Sequence, residues 1–423
     1  MENGTTSTAR TLRRFFFFGL FFAALLLFAV WRGYTLLYVS ERMVNETSLK
    51  PSLTASLQNS AAITTPEKWE NEKEYLRTLF EQEVYGAFPR TTFEWSQERR
   101  VLDENAYGGK GVVEEIVLTE PTGTLRIPIV LVTPKEVLRA PVLIASNFCA
   151  NHHVFEEYDV EKPALYHSFC DITIFMSAKE ALLGKYIRRA PVADVLDHGY
   201  AFAGFYTGSV VPDDADAAPG ALAALSQLTE QPVTGVIAAW GWGYTEVARV
   251  LAAEARIDPT RIAVYGHSRD GKAALVAGAF DEQISLVVSH QSGRAGAAPS
   301  QREVGESIKA ITTSFPHWFD ARYRQFDKEN PVIDQQFLIA LLAPRPALFT
   351  GAALDRWADP TGAFMAVREA SQIYNLYEEN SFSAHTVDDF KPNDTVAFFM
   401  RPLNHGVRVA DWNAILTFLD AHL

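Results

Sequence analysis

The sequence predicts an α/β protein built on a doubly wound, mostly parallel sheet with helices on both faces. Short apolar runs alternate with helical patterns across the second half of the chain, which is typical of parallel sheets. Hydrophobic residues make up 48% of the 423 residues, enough for one large core. The heptad from Gly266 to Lys272 joins a β-type run to an alanine-rich helical run. Together these features predict one large domain over residues 66–423.

The predicted domain begins with a helix. Thr65 suits an N-cap, Pro66 suits the first helical position, and apolar residues recur at helical spacing from Tyr75 to Val84. Later helices are predicted at 233–255, at 273–279 and from 410 onward. Strands are predicted at 111–118, 125–133, 141–145, 200–205, 262–265, 284–289, 347–351 and 396–400.

The N-terminus has the pattern of a targeting segment. Residues 1–14 are basic, and the apolar run from Phe15 to Trp31 would be about 26 Å long as a helix. Because no small-residue cleavage site follows, we expect an uncleaved membrane signal anchor over 15–39, with a cleaved signal peptide as the alternative. The basic flank would stay cytoplasmic and the rest would be exported to the periplasmic or extracellular side. Residues 40–65 are rich in Ser and Thr and aperiodic, which predicts a flexible tether.

Charge and cysteine usage exclude several classes of partner. The net charge of −13 argues against binding to nucleic acid. Cys149 and Cys170 are the only cysteines, so the chain has neither a Cys-rich zinc site nor a disulfide framework. One disulfide between them and two separate thiols both remain open. His152 and His153 are expected to be structural, and we expect no metal and no cofactor.

The heptad predicts a nucleophile. A serine on a sharp strand-to-helix turn exposes its hydroxyl, and the amides that open the helix face a developing oxyanion. The spacing departs from G-x-S-x-G because the second glycine, Gly271, comes one residue late. An ordinary Gly/Ser turn is the alternative. The cations Arg269 and Lys272 beside Ser268 suggest a substrate whose acyl part becomes an anion.

The chain also offers a base and an acid in the order Ser, acid, His that α/β-hydrolases use. Asp355 follows the strand 347–351, and His405 follows the strand 396–400. Asp359 lies close by and could be an N-cap or a calcium-like loop residue, and so could Asp355. Gln291 follows the strand 284–289, where it could orient an imidazole without stabilising its cation. The Arg269 amide and the loop 146–148 are expected to stabilise the oxyanion.

Several separated segments give the chain a family resemblance. They are Glu83–Gly86, Asn147–Phe148 with Asn151–His152, Trp240–Gly243, Gly266–Lys272, Phe315–Phe319, Leu338–Pro346 and Asp355–Pro360. In this order they resemble the glucuronoyl esterases, carbohydrate esterase family 15, over most of residues 66–423. The resemblance implies an α/β-hydrolase that works without a metal. Its partner would be a polysaccharide or oligosaccharide ester of uronic acid, such as the 4-O-methyl-glucuronate ester that links lignin to glucuronoxylan.

The resemblance also implies roles for individual residues. Ser268 would be the nucleophile, His405 the base, and Arg269 a stabiliser of the oxyanion. Lys272, Glu306 and Trp357 would contact the sugar. Gln291, which we group with the substrate-side residues, stands where many members have a glutamate, and Asp355 stands where others have an aspartate. Two alternatives are a general carboxylesterase or acetylxylan esterase, and a non-catalytic carbohydrate-binding protein on a hydrolase fold.

Overall fold

A computed structural model describes residues 19, 21–30, 49–166, 170, 171, 180, 182–379 and 381–423. The chain divides into two compact units, Met1–Thr47 and Ser48–Leu423. In the first unit, residues 19 and 21–30 are helical. None of the helices among the described residues has both the length and the apolar character needed to cross a bilayer. Residues 15–18, 20 and 31–39 of the predicted anchor lie outside the described part, as does the basic segment 1–14.

A nine-stranded sheet forms the centre of the second unit. Its strands are β1 Ser96–Asn105, β2 Gly111–Thr119, β3 Arg126–Pro134, β4 Ala140–Ser146, β5 Ala201–Phe205, β6 Ile257–His267, β7 Leu286–His290, β8 Ala347–Ala352 and β9 Val396–Arg401. The spatial order is β1-β2-β3-β5-β4-β6-β7-β8-β9. The pairs β1–β2, β2–β3 and β3–β5 are antiparallel. The five remaining pairs, β5–β4, β4–β6, β6–β7, β7–β8 and β8–β9, are parallel. The prediction of a mostly parallel, doubly wound sheet is confirmed, and the architecture fits an α/β-hydrolase.

Helices cover both faces of this sheet. The longer ones are α1 Pro66–Phe80, α2 Val192–Asp197, α3 Ala218–Thr229, α4 Val236–Ala252, α5 Arg269–Phe280, α6 Ile308–Ser314, α7 Gln335–Ala340, α8 Pro360–Tyr374 and α9 Val409–His422. Shorter helical pieces are Glu81–Tyr85, Ala106–Gly109, Asn151–Val154, Thr207–Ser209, Ala321–Gln325 and Arg356–Ala358. Apolar residues of α2 and α9 join one face of the central strands in a single buried cluster. Helices α4 and α5 pack against each other and contact β6.

The segment that precedes α1 differs from the tether expected over 40–65. Leu49, Leu53 and Ile63 are buried, with exposed fractions of 6% or less. The buried Glu72 of α1 accepts hydrogen bonds from Ser56 Oγ and from the amide of Leu57. Residues 49–65 are therefore packed, because a few apolar side chains and one carboxylate fix a chain that has no regular pattern. Residues 40–48 lie outside the described part.

The parallel half of the sheet brings the predicted site together. β6, β7, β8 and β9 are neighbours and run in the same direction, so their carboxyl ends meet at one edge. Ser268 directly follows β6, Asp355 follows β8, and His405 follows β9. Ligands of open α/β sheets bind at this edge.

Candidate active site

Ser268 lies on a strained turn between β6 and α5. Its φ of 58° and ψ of −119° are unusual for a residue other than glycine, and its amide donates to the His290 carbonyl at 2.8 Å. The two glycines of the heptad are required by close backbone contacts. A Cβ at Gly266 would lie 2.0 Å from the Asp270 carbonyl oxygen, and one at Gly271 would lie 3.0 Å from the His290 oxygen. The late second glycine therefore lets the first turn of α5 pack against the end of β7.

His405 and Asp355 form a close pair. His405 Nδ1 is 2.5 Å from Asp355 Oδ2, and the Asp355 side chain is 4% exposed. The centroid of the His405 ring is 4.6 Å from that of His267, the residue before Ser268. Within the described part of the chain, Ser268 Oγ and His405 make no hydrogen bond; such contacts often tighten only when substrate is bound. With Nδ1 donating to Asp355, the lone pair of the neutral imidazole lies on Nε2.

Asp359 and Gln291, the other two residues considered near the base, have different contacts. Asp359 binds Arg302 Nε at 2.7 Å and accepts from the Gly362 amide at 3.0 Å, so it caps α8. Gln291 is 3% exposed, and its Oε1 accepts from the Gly406 amide at 3.0 Å. Gln291 thus binds the backbone of Gly406, next to His405, and makes no hydrogen bond to the imidazole. Its side chain is buried and does not form part of an exposed surface on which a sugar could lie.

Arg269 lies in an aromatic and acidic cluster. Its guanidinium binds the Asp213 carboxylate and lies 4.8 Å from the centre of the Trp318 ring. Asp213 also accepts from Trp318 Nε1 at 2.7 Å and lies 2.9 Å from His317 Nε2. Sequence reasoning missed Asp213. The available signal was its position shortly after β5, at the carboxyl edge of the sheet.

Two of the three backbone amides expected of the loop after β4 are bonded elsewhere. The Ser146 amide donates to Tyr244 Oη at 3.2 Å, and the Asn147 amide donates to the Phe205 carbonyl at 2.7 Å. The expectation of an oxyanion donor is therefore wrong for these two residues. The loop instead places the Phe148 ring 5.4 Å from the Arg269 guanidinium. The disulfide between Cys149 and Cys170 ties this loop down, which decides between the two alternatives left open for the cysteines.

Lys272 and Glu306 are buried groups of opposite charge that influence each other electrostatically. Burial lowers the pKa of Lys272 to about 8, although Glu306 raises it. Burial also raises the pKa of Glu306, against the attraction of Lys272 and Arg294. The Lys272 ammonium donates to the Ser292 carbonyl. Both groups sit where their charge depends on the other, as is frequent in functional sites.

Trp357 is an exposed aromatic beside Glu306. Its carbonyl accepts from the Glu306 amide at 2.9 Å. The residue is 61% exposed, so it does not serve core packing. Buried Arg294 holds the segment beneath, because its guanidinium donates to the carbonyls of Glu306, Arg302 and Val304 at 2.7–2.8 Å. Sequence reasoning missed Arg294, whose partners are all backbone atoms.

Comparison with known proteins gives consistent matches. The profile of a family described as glucuronyl esterase, fungi, matches residues 191–377. A carbohydrate esterase, MZ0003, from an unknown prokaryotic organism is 32% identical over 380 residues, which cover 85% of this chain and 87% of that protein. A 4-O-methyl-glucuronoyl methylesterase from Hypocrea jecorina is 36% identical over 152 residues, 33% of each chain.

Solved structures are similar over nearly the whole second unit. A promiscuous CE15 esterase from a marine bacterial metagenome has a TM-score of 0.76 at 28% identity, with 90% of this chain and 99% of that one covered. A glucuronoyl esterase from Solibacter usitatus has a TM-score of 0.72 at 26% identity with the same coverage.

Proposed function

We propose, since this chain belongs to the glucuronoyl esterases of carbohydrate esterase family 15, that Ser268 attacks the ester carbonyl of a glucuronate ester. The chain is a carboxylic ester hydrolase. The pairing of His405 with Asp355 at 2.5 Å, beside the strained turn of Ser268, carries the proposal. A serine hydroxyl needs such an oriented base before it becomes nucleophilic.

The reaction would proceed through an acyl-enzyme. His405 Nε2 takes the proton of Ser268 Oγ as this oxygen bonds to the carbonyl carbon, and then gives the proton to the leaving alcohol oxygen. The uronoyl group remains esterified to Ser268. His405 next takes a proton from water, the water oxygen attacks the same carbon, and the proton returns to Ser268 as the uronic acid leaves. Asp355 stabilises the imidazolium in both steps.

Arg269 would stabilise the negative charge that develops on the carbonyl oxygen. The cation follows the nucleophile directly and is held by Asp213 and by aromatic faces. A fixed donor needs no reorganisation when the charge appears, and removal of one such donor lowers kcat by roughly 10² to 10³.

The sugar would lie against Lys272, Glu306 and Trp357. A buried ammonium and a carboxylate together can donate to and accept from ring hydroxyls, and an exposed indole face suits a sugar ring. The name of the fungal relative supports a 4-O-methyl-glucuronoyl group as the acyl part. For the alcohol we propose a lignin-type alcohol on a uronic-acid-bearing polysaccharide.

Hydrolysis of benzyl glucuronate and methyl glucuronate by the purified protein tests this function. Ser268→Ala should reduce turnover to the background rate while the protein keeps its fold by circular dichroism. Turnover that persists in this variant would exclude Ser268 as the nucleophile.

A second candidate is an esterase with a broader acyl range. It is favoured by the structural neighbour that is called promiscuous. The two candidates differ in selectivity, because Lys272 and Glu306 would contribute nothing to an acetyl ester. Equal kcat/KM for 4-nitrophenyl acetate and methyl glucuronate would favour the broader enzyme, and strong preference for glucuronate over both acetate and methyl galacturonate would favour the first.

We also propose that the domain works outside the cytoplasm and is attached to the membrane through the segment 15–39. The basic and apolar N-terminal pattern supports this, as does the Cys149–Cys170 disulfide, since disulfides persist in oxidising compartments. Fractionation of cells that express the chain with and without residues 1–47 tests it. Recovery of both forms in the same soluble fraction would contradict the anchor.

A further inference from the structure

Three histidines lie side by side at the carboxyl edge of the sheet. His267 ends β6, His290 ends β7, and the two are direct partners in the register of these strands. The centre of the His267 ring is 4.9 Å from that of His290 and 4.6 Å from that of His405, to which it is tilted by 35°. The proposed base is therefore the outermost of three contacting imidazoles.

The contact between His267 and His290 limits their charge. Nδ1 of one ring is 2.7 Å from Nδ1 of the other. One of these nitrogens must carry a proton and the other a lone pair, because two N–H groups or two lone pairs would repel at this distance. The pair cannot become doubly protonated without breaking this contact.

Asp411 sets the direction of the hydrogen bond. His290 Nε2 is 3.3 Å from Asp411 Oδ1, and Arg401 Nε binds both oxygens of this carboxylate at 2.7 and 2.9 Å. Burial opposes the ionisation of Asp411, but attraction to His290 and Arg401 outweighs it and the pKa is lowered. His290 Nε2 makes no hydrogen bond, but the carboxylate oxygen at 3.3 Å favours a proton over a lone pair on this nitrogen. His290 Nδ1 then accepts, and His267 donates from Nδ1.

The surroundings also keep the pair neutral. Burial lowers the pKa of His267 and of His290, and nearby cations add to the effect on both. The charged or titratable groups that act on His267 are His405, His290, Arg401 and Arg269; those that act on His290 are Asp411, Arg401 and His405. Only Asp411 among them favours a charged imidazole, and it already pairs with Arg401.

We propose that His267, held as a neutral Nδ1–H tautomer by His290 and Asp411, is a positioning residue for His405. Its uncharged ring supports the face of His405 while that ring cycles between imidazole and imidazolium. A second positive charge at 4.6 Å would oppose the imidazolium that forms in each step. This inference rests on the proposed function of His405 as the base.

Kinetics of variants at the His267–His290 pair test the inference. In His290→Phe, His267 loses its acceptor and one of the influences that lower its pKa, so its ring is more easily protonated than in the parent. We expect kcat to fall about tenfold at neutral pH with KM unchanged, a part of the roughly 10² to 10⁴ that general-base catalysis supplies. Below neutrality, log kcat should then rise with pH with a slope approaching two, where the parent has a slope of one. The double variant His267→Phe/His290→Phe has a ring that cannot be charged, so its slope should return to one.

His422→Phe is the matched control, because His422 lies in α9 in ring contact with Phe418 and not at this edge. It should keep the kcat and the pH slope of the parent. A folded His290→Phe protein with a parental slope, or a double variant that keeps the steeper slope, would overturn the inference. Loss of activity in His405→Ala must be verified first. Activity without His405 would contradict the proposed role of His405 as the base, and would not test the role of the His267–His290 pair.

Nitrogen-15 NMR of the unsubstituted protein gives a readout that needs neither activity nor a folded variant. Among the ten histidines, one ring should be a neutral Nδ1–H tautomer and a second a neutral Nε2–H tautomer, and both should stay unprotonated at pH values below the ordinary pKa of histidine. Titration of every histidine between about pH 6 and 7 would overturn the inference.

Discussion

The two sides of the candidate active site are built differently. On the base side, His405 has a side chain that is 36% exposed, and its hydrogen-bond partner is one carboxylate, Asp355. On the cationic side, Arg269 and Lys272 are largely enclosed, and each has an acidic neighbour, Asp213 or Glu306. The difference follows from what each side does. A proton carrier must reach both substrate and water, whereas a buried cation needs a counter-charge to remain charged at all.

The largest effect should come from the base side, where nothing duplicates Asp355. Asp355→Asn keeps the shape but removes the charge that stabilises the imidazolium and sets its tautomer. We expect kcat for methyl glucuronate to fall about 10⁴-fold, as for other hydrolases of this type, with a small change in KM. Steady-state kinetics measure both.

Asp359→Asn is the matched control for that substitution, since Asp359 lies four residues on and serves as the cap of α8. It should lower the melting temperature, because the ion pair with Arg302 is lost while the cap is kept, and leave kcat within a factor of about three. A comparable loss of kcat in both variants would mean that Asp355 supports the loop and not the imidazole.

On the cationic side, substitution of Asp213, which contacts Arg269, His317 and Trp318, should give the next largest effect. Asp213→Asn frees the Arg269 guanidinium from its fixed position, and the oxyanion then loses a preorganised donor. We expect kcat to fall about 10² -fold, the lower end for loss of such a donor. Glu246→Gln is the control, because Glu246 is also buried and also holds an arginine and an indole, Arg249 and Trp95, away from this site. Equal losses in the two variants would contradict a specific role of Asp213.

Lys272 makes the cationic side sensitive to pH. Its ammonium is protonated below a pKa of about 8 and is neutral above it. KM for a glucuronate ester should therefore rise about tenfold as the pH increases from 7 to above 9, since a charge-assisted hydrogen bond is lost. Glu306→Gln removes an influence that raises this pKa, so the rise in KM should begin at a lower pH. If KM did not change with pH in either the parent or Glu306→Gln, then Lys272 would not bind the substrate.

The same contrast explains what could be predicted from the sequence. Ser268, Asp355 and His405 each follow a strand, so their meeting follows from the parallel order of β6 to β9. The contact of Arg269 with Asp213 depends on where a loop after β5 folds back, and no local pattern encodes that path. Strand β1 was not predicted because it is a polar edge strand without alternating burial. The packing of segment 49–65 was not predicted because it depends on three isolated apolar residues and not on a periodic run.

The smallest effect should come from Gln291, the residue that supports the base side from beneath. Gln291→Leu leaves the Gly406 amide without its acceptor, which should cost about 1–3 kcal/mol of stability. The His405 loop loses one restraint but keeps Asp355, so we expect kcat to fall only about threefold. Gln335→Leu is a close control, because Gln335 is also buried and also accepts one hydrogen bond, from Tyr85 Oη, but lies in α7. Melting curves should show similar destabilisation of both variants, and kinetics should show a loss in Gln291→Leu alone. If Gln291→Leu lowered kcat as much as Asp355→Asn, then the glutamine, and not the aspartate, would be the main support of the imidazole.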